Sequence, residues 1–174
     1  GDILHKKGEE QEAFAAYDSC LQWKDDNVMA LNNYAYDLSE KGVDLHKAES
    51  MSYKTIKAEP NNGTYLDTYA WILFMEERYA DAKTYIDQAL KNRDSTADNS
   101  TVLEHAGDIY YMNGMADESV DFWKKAYTGE NQTEVLAWKI KNRQYITEEE
   151  LKKRNAPKQK PAATKKSVRK GKKK

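Results

Sequence analysis

Between Thr64 and Leu90 the apolar residues fall at helical spacing twice in succession, and this stretch limits what the rest of the chain can be. Leu66, Tyr69, Ala70 and Leu73 lie at i, i+3, i+4 and i+7, on one face of a helix. After the polar break Glu76-Glu77-Arg78, the residues Tyr79, Ala82, Tyr85, Ile86, Ala89 and Leu90 resume the same period. The spacing predicts two amphipathic helices of about three turns each, joined by a turn short enough to force an antiparallel hairpin. Ala70 and Ala82 sit mid-helix, where two axes can come close. One hairpin of this kind leaves its apolar face uncovered, so a chain built on it needs copies.

The copies are present. Gly107 to Tyr127 places Gly107, Gly114, Ser119, Trp123 and Ala126 in the pattern, and the opening residues place Gly1, Gly8, Ala13, Tyr17 and Cys20 at the same spacings. A third copy holds Ala35, Gly42, Ala48 and Pro60, with one extra residue between its helices. The small residue of the first helix recurs at Gly1, Ala35, Ala70 and Gly107, in steps of 34, 35 and 37. That of the second helix recurs at Ala13, Ala48, Ala82 and Ser119, in steps of 35, 34 and 37. Two independent anchors thus agree on a period of about 34 residues. With the Gly-Asp-Ile openings at Gly1 and Gly107, the Leu-x-x-Tyr-Ala runs at Leu31 and Leu66, and Ala-Glu-Pro-Asn-Asn at 58–62, the chain resembles the tetratricopeptide-repeat (TPR) family over roughly residues 1–132.

That resemblance implies an all-α, right-handed superhelical solenoid of helix-turn-helix hairpins. The expected repeats are 1–26 (truncated), 27–60, 61–94 and 98–131, with the first helix ending at Gly8 in a left-handed cap. A helix over Gln132–Tyr145, with Val135, Leu136, Trp138 and Ile140 apolar, is expected to cap the array. Thr147-Glu148-Glu149-Glu150 has the form of a capping box that starts one more short helix, so the capping region spans 133–154. Because the chain opens at Gly1 inside an expected helix and without Met, it reads as the C-terminal part of a longer protein. Its style is similar to that of bacterial multi-repeat TPR proteins, some of which carry a lipoprotein signal. The resemblance therefore suggests the bacterial cell envelope, with the cytoplasm as the alternative.

Charge divides the chain sharply. From Leu151 onward there are 12 Lys/Arg and no Asp or Glu. Taking those 12 from the total of 28 leaves 16 basic against 29 acidic side chains over residues 1–150, a net −13. Residues 155–174 have almost no large apolar side chain and are expected to be a disordered basic tail. As a polycation, Lys165, Lys166, Arg169, Lys170, Lys172, Lys173 and Lys174 could hold phosphates of nucleic acid or anionic lipid. A nucleic-acid or anionic-membrane adaptor acting through this tail is the alternative functional reading.

No catalytic pattern appears in the sequence. His5, His46 and His105 stand far apart in register without a second ligand at metal spacing, and no glycine-rich phosphate loop is present. Cys20 is the only cysteine and reads as a small core residue. The expectation is a non-enzymatic protein with no cofactor and no metal, and no run of residues approaches a membrane span.

In the family, the first helix of each repeat lines the concave face that holds peptide segments. Carried onto this chain, the resemblance implies a groove made by Asn32, Tyr36, Asp67, Trp71, Phe74, Met75, Glu104, Asp108, Tyr111 and Met112. Trp71 is expected to pack between repeats, and Phe74, Tyr111 and Met112 to face the groove. The subclass that clamps carboxylate-terminated tails uses cations, and the matching first-helix positions here hold Asn32, Asp67, Glu104 and Asp108. An acidic, aromatic groove favours a basic or neutral protein segment. The expected function is a protein–protein interaction scaffold.

Overall fold

The computed structural model describes residues 2–23 and 27–157. Among these residues there are nine α-helices and one short 3-10 turn at Gly129–Asn131. The helices are α1 (Asp2–Trp23), α2 (Val28–Lys41), α3 (Leu45–Ala58), α4 (Gly63–Met75), α5 (Tyr79–Asn92), α6 (Ser100–Met112), α7 (Ala116–Ala126), α8 (Glu134–Asn142) and α9 (Glu148–Asn155). No helix among the described residues is long and apolar enough to cross a membrane.

Local chemistry sets the hairpin ends. Asn27 and Asn62 cap α2 and α4, their side-chain oxygens accepting from the backbone N–H groups of Ala30 and of Thr64 and Tyr65. Each hairpin turn has a left-handed residue just past its first helix, Gly42 (φ 63°), Glu77 (φ 62°) and Gly114 (φ 78°), and the α2–α3 turn has a second at Asp44 (φ 46°). Around these residues the N–H groups fold back onto the preceding helix, as Val43 donates to Leu38 and Arg78 to Leu73. Glu77 is the exception to glycine just past the first helix, and a side chain in this conformation is strained by about 1–2 kcal/mol.

The hairpins α2–α3, α4–α5 and α6–α7 stack in order, with α2 beside α4 and α4 beside α6. The core runs along the hairpin seams. Ala35 faces Ala48, Ala70 faces Ala82, and both pairs are wholly buried. In the last hairpin Gly107 takes the corresponding place, because a Cβ there would stand 2.3 Å from the Trp123 ring. Ser119 Oγ donates to the Gly107 carbonyl at 2.8 Å, so this seam is tied by a hydrogen bond as well as by contact.

Two sequence expectations need correction. The helix does not end at Gly8: α1 runs continuously from Asp2 to Trp23, so these residues form one helix and not the expected hairpin. Lys and Glu flank Gly8 on both sides, and a lone glycine among helix formers costs only about 1 kcal/mol. Instead α1 covers α2, with Phe14 and Tyr17 against the Tyr34 ring at 5.2 and 5.4 Å and Glu10 paired with Lys41 at 3.2 Å.

The expected 132–145 helix is also shorter. Thr133 caps the start of α8, and Arg143 in the left-handed region (φ 54°) ends it. Residues 143–147 then lead into α9, whose capping box joins Thr147 and Glu150 through both backbone N–H groups. Asn155 is the last residue of α9, so residues 155–157 of the expected tail are described, and residues 158–174 lie outside the described chain.

Candidate functional site: a groove floored by a buried ion cluster

The first helices of the three hairpins and the α8–α9 segment enclose one open cavity of about 490 Å³. Tyr36 and Glu40 come from α2, Trp71 and Met75 from α4, and Thr101, Glu104, His105 and Asp108 from α6. Val135 and Lys139 of α8, with residues 145–149, form the remaining wall. Helical spacing explains the α6 set: Thr101, Glu104, Asp108 and, between them, His105 fall at i, i+3, i+7 and i+4.

At one side of the cavity, aromatic rings form a pile. Trp71 stacks on His105 with centroids 4.1 Å apart and an interplanar angle of 14°, and on Phe74 at 4.7 Å and 12°. His105 is fixed in place by Asp67 on α4, whose carboxylate accepts from Nδ1 at 2.9 Å. Burial pulls the imidazole pKa down, but the Asp67 carboxylate more than offsets this, so the net shift is upward. Tyr36 stands 6.3 Å from the imidazole. Burial and the neighbouring Glu40 hold its hydroxyl well above the usual phenol range.

At the floor, an ammonium group is buried among carboxylates. Lys139 Nζ donates to both Asp108 oxygens at 2.7 and 3.0 Å and to Glu104 at 3.1 Å. Asp108 also accepts from the indole N–H of Trp123 at 2.9 Å. Lys139 is only 3 % exposed, as is Asp108. Desolvation pushes the Asp108 carboxyl up, and Lys139 pulls it back only in part. Glu104 receives a further hydrogen bond from the Asn131 amide at 3.2 Å. The capping helix therefore does more than cover an apolar face: it inserts a cation into the concave surface.

Comparison with known proteins agrees with this architecture. No protein-family model matches the chain. Over 66 residues it is 35% identical to the TPR repeat-containing protein PA4667 of Pseudomonas aeruginosa, which is 38% of this chain and 11% of that protein. The chain thus spans about a tenth of that relative's length. The structure superposes on the first TPR domain of human RPAP3 with a TM-score of 0.57 and 13% identity, covering 67% of this chain and 88% of that one. The chain has the TPR fold. It also superposes on the crystal structure of MamA with a TM-score of 0.61 and 17% identity, covering 82% of this chain and 81% of that one.

With the TPR geometry in hand, each expected groove residue can be located. Tyr36, Trp71, Met75, Glu104 and Asp108 line the cavity together. Asp67 is buried behind His105 and acts on the cavity through it. Asn32 is buried, with its amide nitrogen on Asn33 at 3.5 Å. Phe74, expected to face the groove, is a core residue instead. Its ring is covered by Trp71 and, edge-on, by Tyr79 and Tyr145 at 5.5 and 5.7 Å. Tyr145 arrives from the segment between α8 and α9, which the repeat pattern does not describe. Tyr111 and Met112 are half-buried and lie outside the cavity lining; Tyr111 packs on Trp123 at 5.9 Å.

Among the groove residues that sequence reasoning missed are His105 on α6 and the whole α8–α9 wall, Val135, Lys139 and residues 145–149. A cation does stand at the groove floor, supplied by α8 and not by the first helices of the repeats. One signal for Lys139 was available: it follows Leu136 by three residues and so sits inside the apolar stripe of its helix. The basic candidates Lys165, Lys166, Arg169, Lys170, Lys172, Lys173 and Lys174 lie outside the described residues.

Proposed function

We propose that this chain is a protein-interaction module that holds an extended partner segment bearing basic side chains in the groove between α2, α4, α6 and the α8–α9 wall. The lining carries this reading. Glu40, Glu104, Asp108, Glu148 and Glu149 line the groove against Lys139, with Lys152 and Lys153 of α9 paired to Glu148 and Glu149, which leaves two negative charges in excess when His105 is neutral. Beside them Trp71, stacked between His105 and Phe74, is half-buried and offers apolar contact area for the stem of a lysine or arginine. Complementary charge supplies partner choice and encounter rate, and the aromatic surface supplies contact area.

Titration of the full chain with labelled peptides of about ten residues, one basic, one neutral and one acidic, tests the reading. Affinity is expected to fall in that order, and the preference to shrink as salt is raised past the Debye-screening range. Trp71→Ala is expected to weaken the basic peptide by roughly tenfold, about 1.4 kcal/mol. Equal binding of the acidic peptide, or a basic peptide indifferent to Trp71→Ala, would sink it.

A further inference from the structure

The structure points to a resident occupant for this groove: we propose that residues 158–174 of the same chain dock there and compete with any partner segment. The inference rests on the reading that the groove accepts an extended basic segment, and adds what regulates access to it. Three observations meet at the same place.

The first is what the groove already holds. Lys139 shows that its carboxylates take an ammonium group, with three Nζ···O contacts between 2.7 and 3.1 Å. That lysine engages Asp108 and Glu104 at the floor, while at the rim Glu40 is exposed and Glu149 sits in a solvent-exposed pair with Lys153 that an incoming cation can exchange. Lys139 fills the floor, so a run of cations arriving from outside meets the rim carboxylates of the same cavity.

The second is charge. Residues 158–174 hold nine Lys/Arg and no acidic residue, on a chain whose first 150 residues carry a net −13. The third is reach. Helix α9 begins at the groove wall with Glu148 and Glu149 and runs for eight residues to Asn155, about 12 Å along the helix axis. The 17 residues from Lys158 onward can extend about 55 Å, several times that distance. Attachment this close to the site gives an effective concentration in the millimolar range, so weak individual contacts suffice for occupancy.

The test uses the full chain with Cys20→Ser and Gly171→Cys, carrying a nitroxide spin label on the new thiol, and reads paramagnetic broadening by NMR. At about 50 mM salt the Trp71 indole N–H and the Glu40 and Glu149 amides are expected to lose more than half their intensity, and the Tyr53 amide on α3 to keep its own. At 500 mM salt, and in Glu40→Gln/Glu149→Gln, the broadening should fall at least twofold; Lys165→Gln/Lys166→Gln/Arg169→Gln should do the same without touching the groove. Absent broadening at low salt overturns the proposal, as does broadening spread equally to Tyr53. So does broadening that appears only when labelled and isotopically enriched molecules are mixed, since the occupant is then a second copy. Adding an unlabelled basic peptide separates the two readings. Restored intensities support tail and peptide sharing one site, whereas peptide bound with the tail elsewhere sinks only the resident-occupant proposal. Broadening that no peptide displaces, with no peptide bound, sinks only the partner-binding function.

Discussion

The middle hairpin, α4–α5, and the last, α6–α7, follow the same backbone plan with different contents. In the middle hairpin Ala70 and Ile86, sixteen residues apart, belong to one buried cluster and both are wholly buried. In the last hairpin Gly107 and Trp123 hold the same two places, also sixteen apart. The glycine gives up a methyl group so that an indole can lie against the α6 backbone, and the indole N–H then reaches Asp108 at the groove floor. Each hairpin region also has a cation among several carboxylates. Arg78 touches Glu49, Glu76 and Asp81 at 2.7–3.3 Å but is 45% exposed, whereas Lys139 on its carboxylates is 4% exposed. A hairpin covered by repeats on both sides can be filled with aliphatic residues. The last hairpin receives the cap through a polar, buried junction, and that junction is the groove floor.

The largest effect should come from breaking that junction. Lys139→Met leaves Asp108 and Glu104 in the interior without their cation and is expected to cost about 3–5 kcal/mol in a denaturant melt. Arg78→Ala, which removes contacts to three carboxylates of a solvent-exposed cluster against two for Lys139, is expected to cost less than about 1 kcal/mol. Similar losses for the two would refute the claim that burial separates them.

The seam gives the next largest effect. Gly107→Ala forces a Cβ into the indole and should cost about 2–3 kcal/mol. In a Trp123→Ile background, which reproduces the Ala70/Ile86 pairing, the same substitution should instead stabilise by about 1 kcal/mol through helix propensity. A double-mutant cycle on chemical denaturation measures this reversal of sign.

A smaller effect separates the two groove pairs by pH. The His105 pKa is raised above its ordinary 6.5 by Asp67, so the imidazolium–carboxylate pair contributes its full stability below that pH. The contribution is lost as pH rises through the folded value. Melting from pH 5.5 to 8.5 should therefore show the wild type losing more stability than Asp67→Asn across that window, with the imidazole proton followed by NMR. The smallest effect concerns the turns: Glu77→Gly should stabilise by up to about 1 kcal/mol, while the same turn position in the last hairpin already holds Gly114.

Much of the framework was readable before any coordinate. The hairpin copies were legible because Ala35, Ala70 and Gly107 must be small wherever two helix axes cross closely, and that demand repeats with the fold. Tyr36, Trp71, Met75, Glu104 and Asp108 were legible as groove candidates through the family resemblance, which implies the positions of each first helix that line the concave face, and the cavity brings these five together. Gly8 misled because the same residue that ends α2 at Gly42 can be absorbed inside α1. Local sequence does not distinguish the two outcomes, which differ by about 1 kcal/mol.

What the sequence alone determined, then, is everything that recurs with the helical period: the hairpins, their small-residue seams and the acidic face of their first helices. Only the tertiary structure decided what meets that face from outside the repeat. Lys139, Tyr145 and the Asp67–His105 pair join residues 31 to 71 positions apart, through contacts that no period encodes. The physical reason is that periodicity sets the direction of a side chain. Its partner depends on where α8 and the residues after it come to rest, and that is settled by packing on the last hairpin.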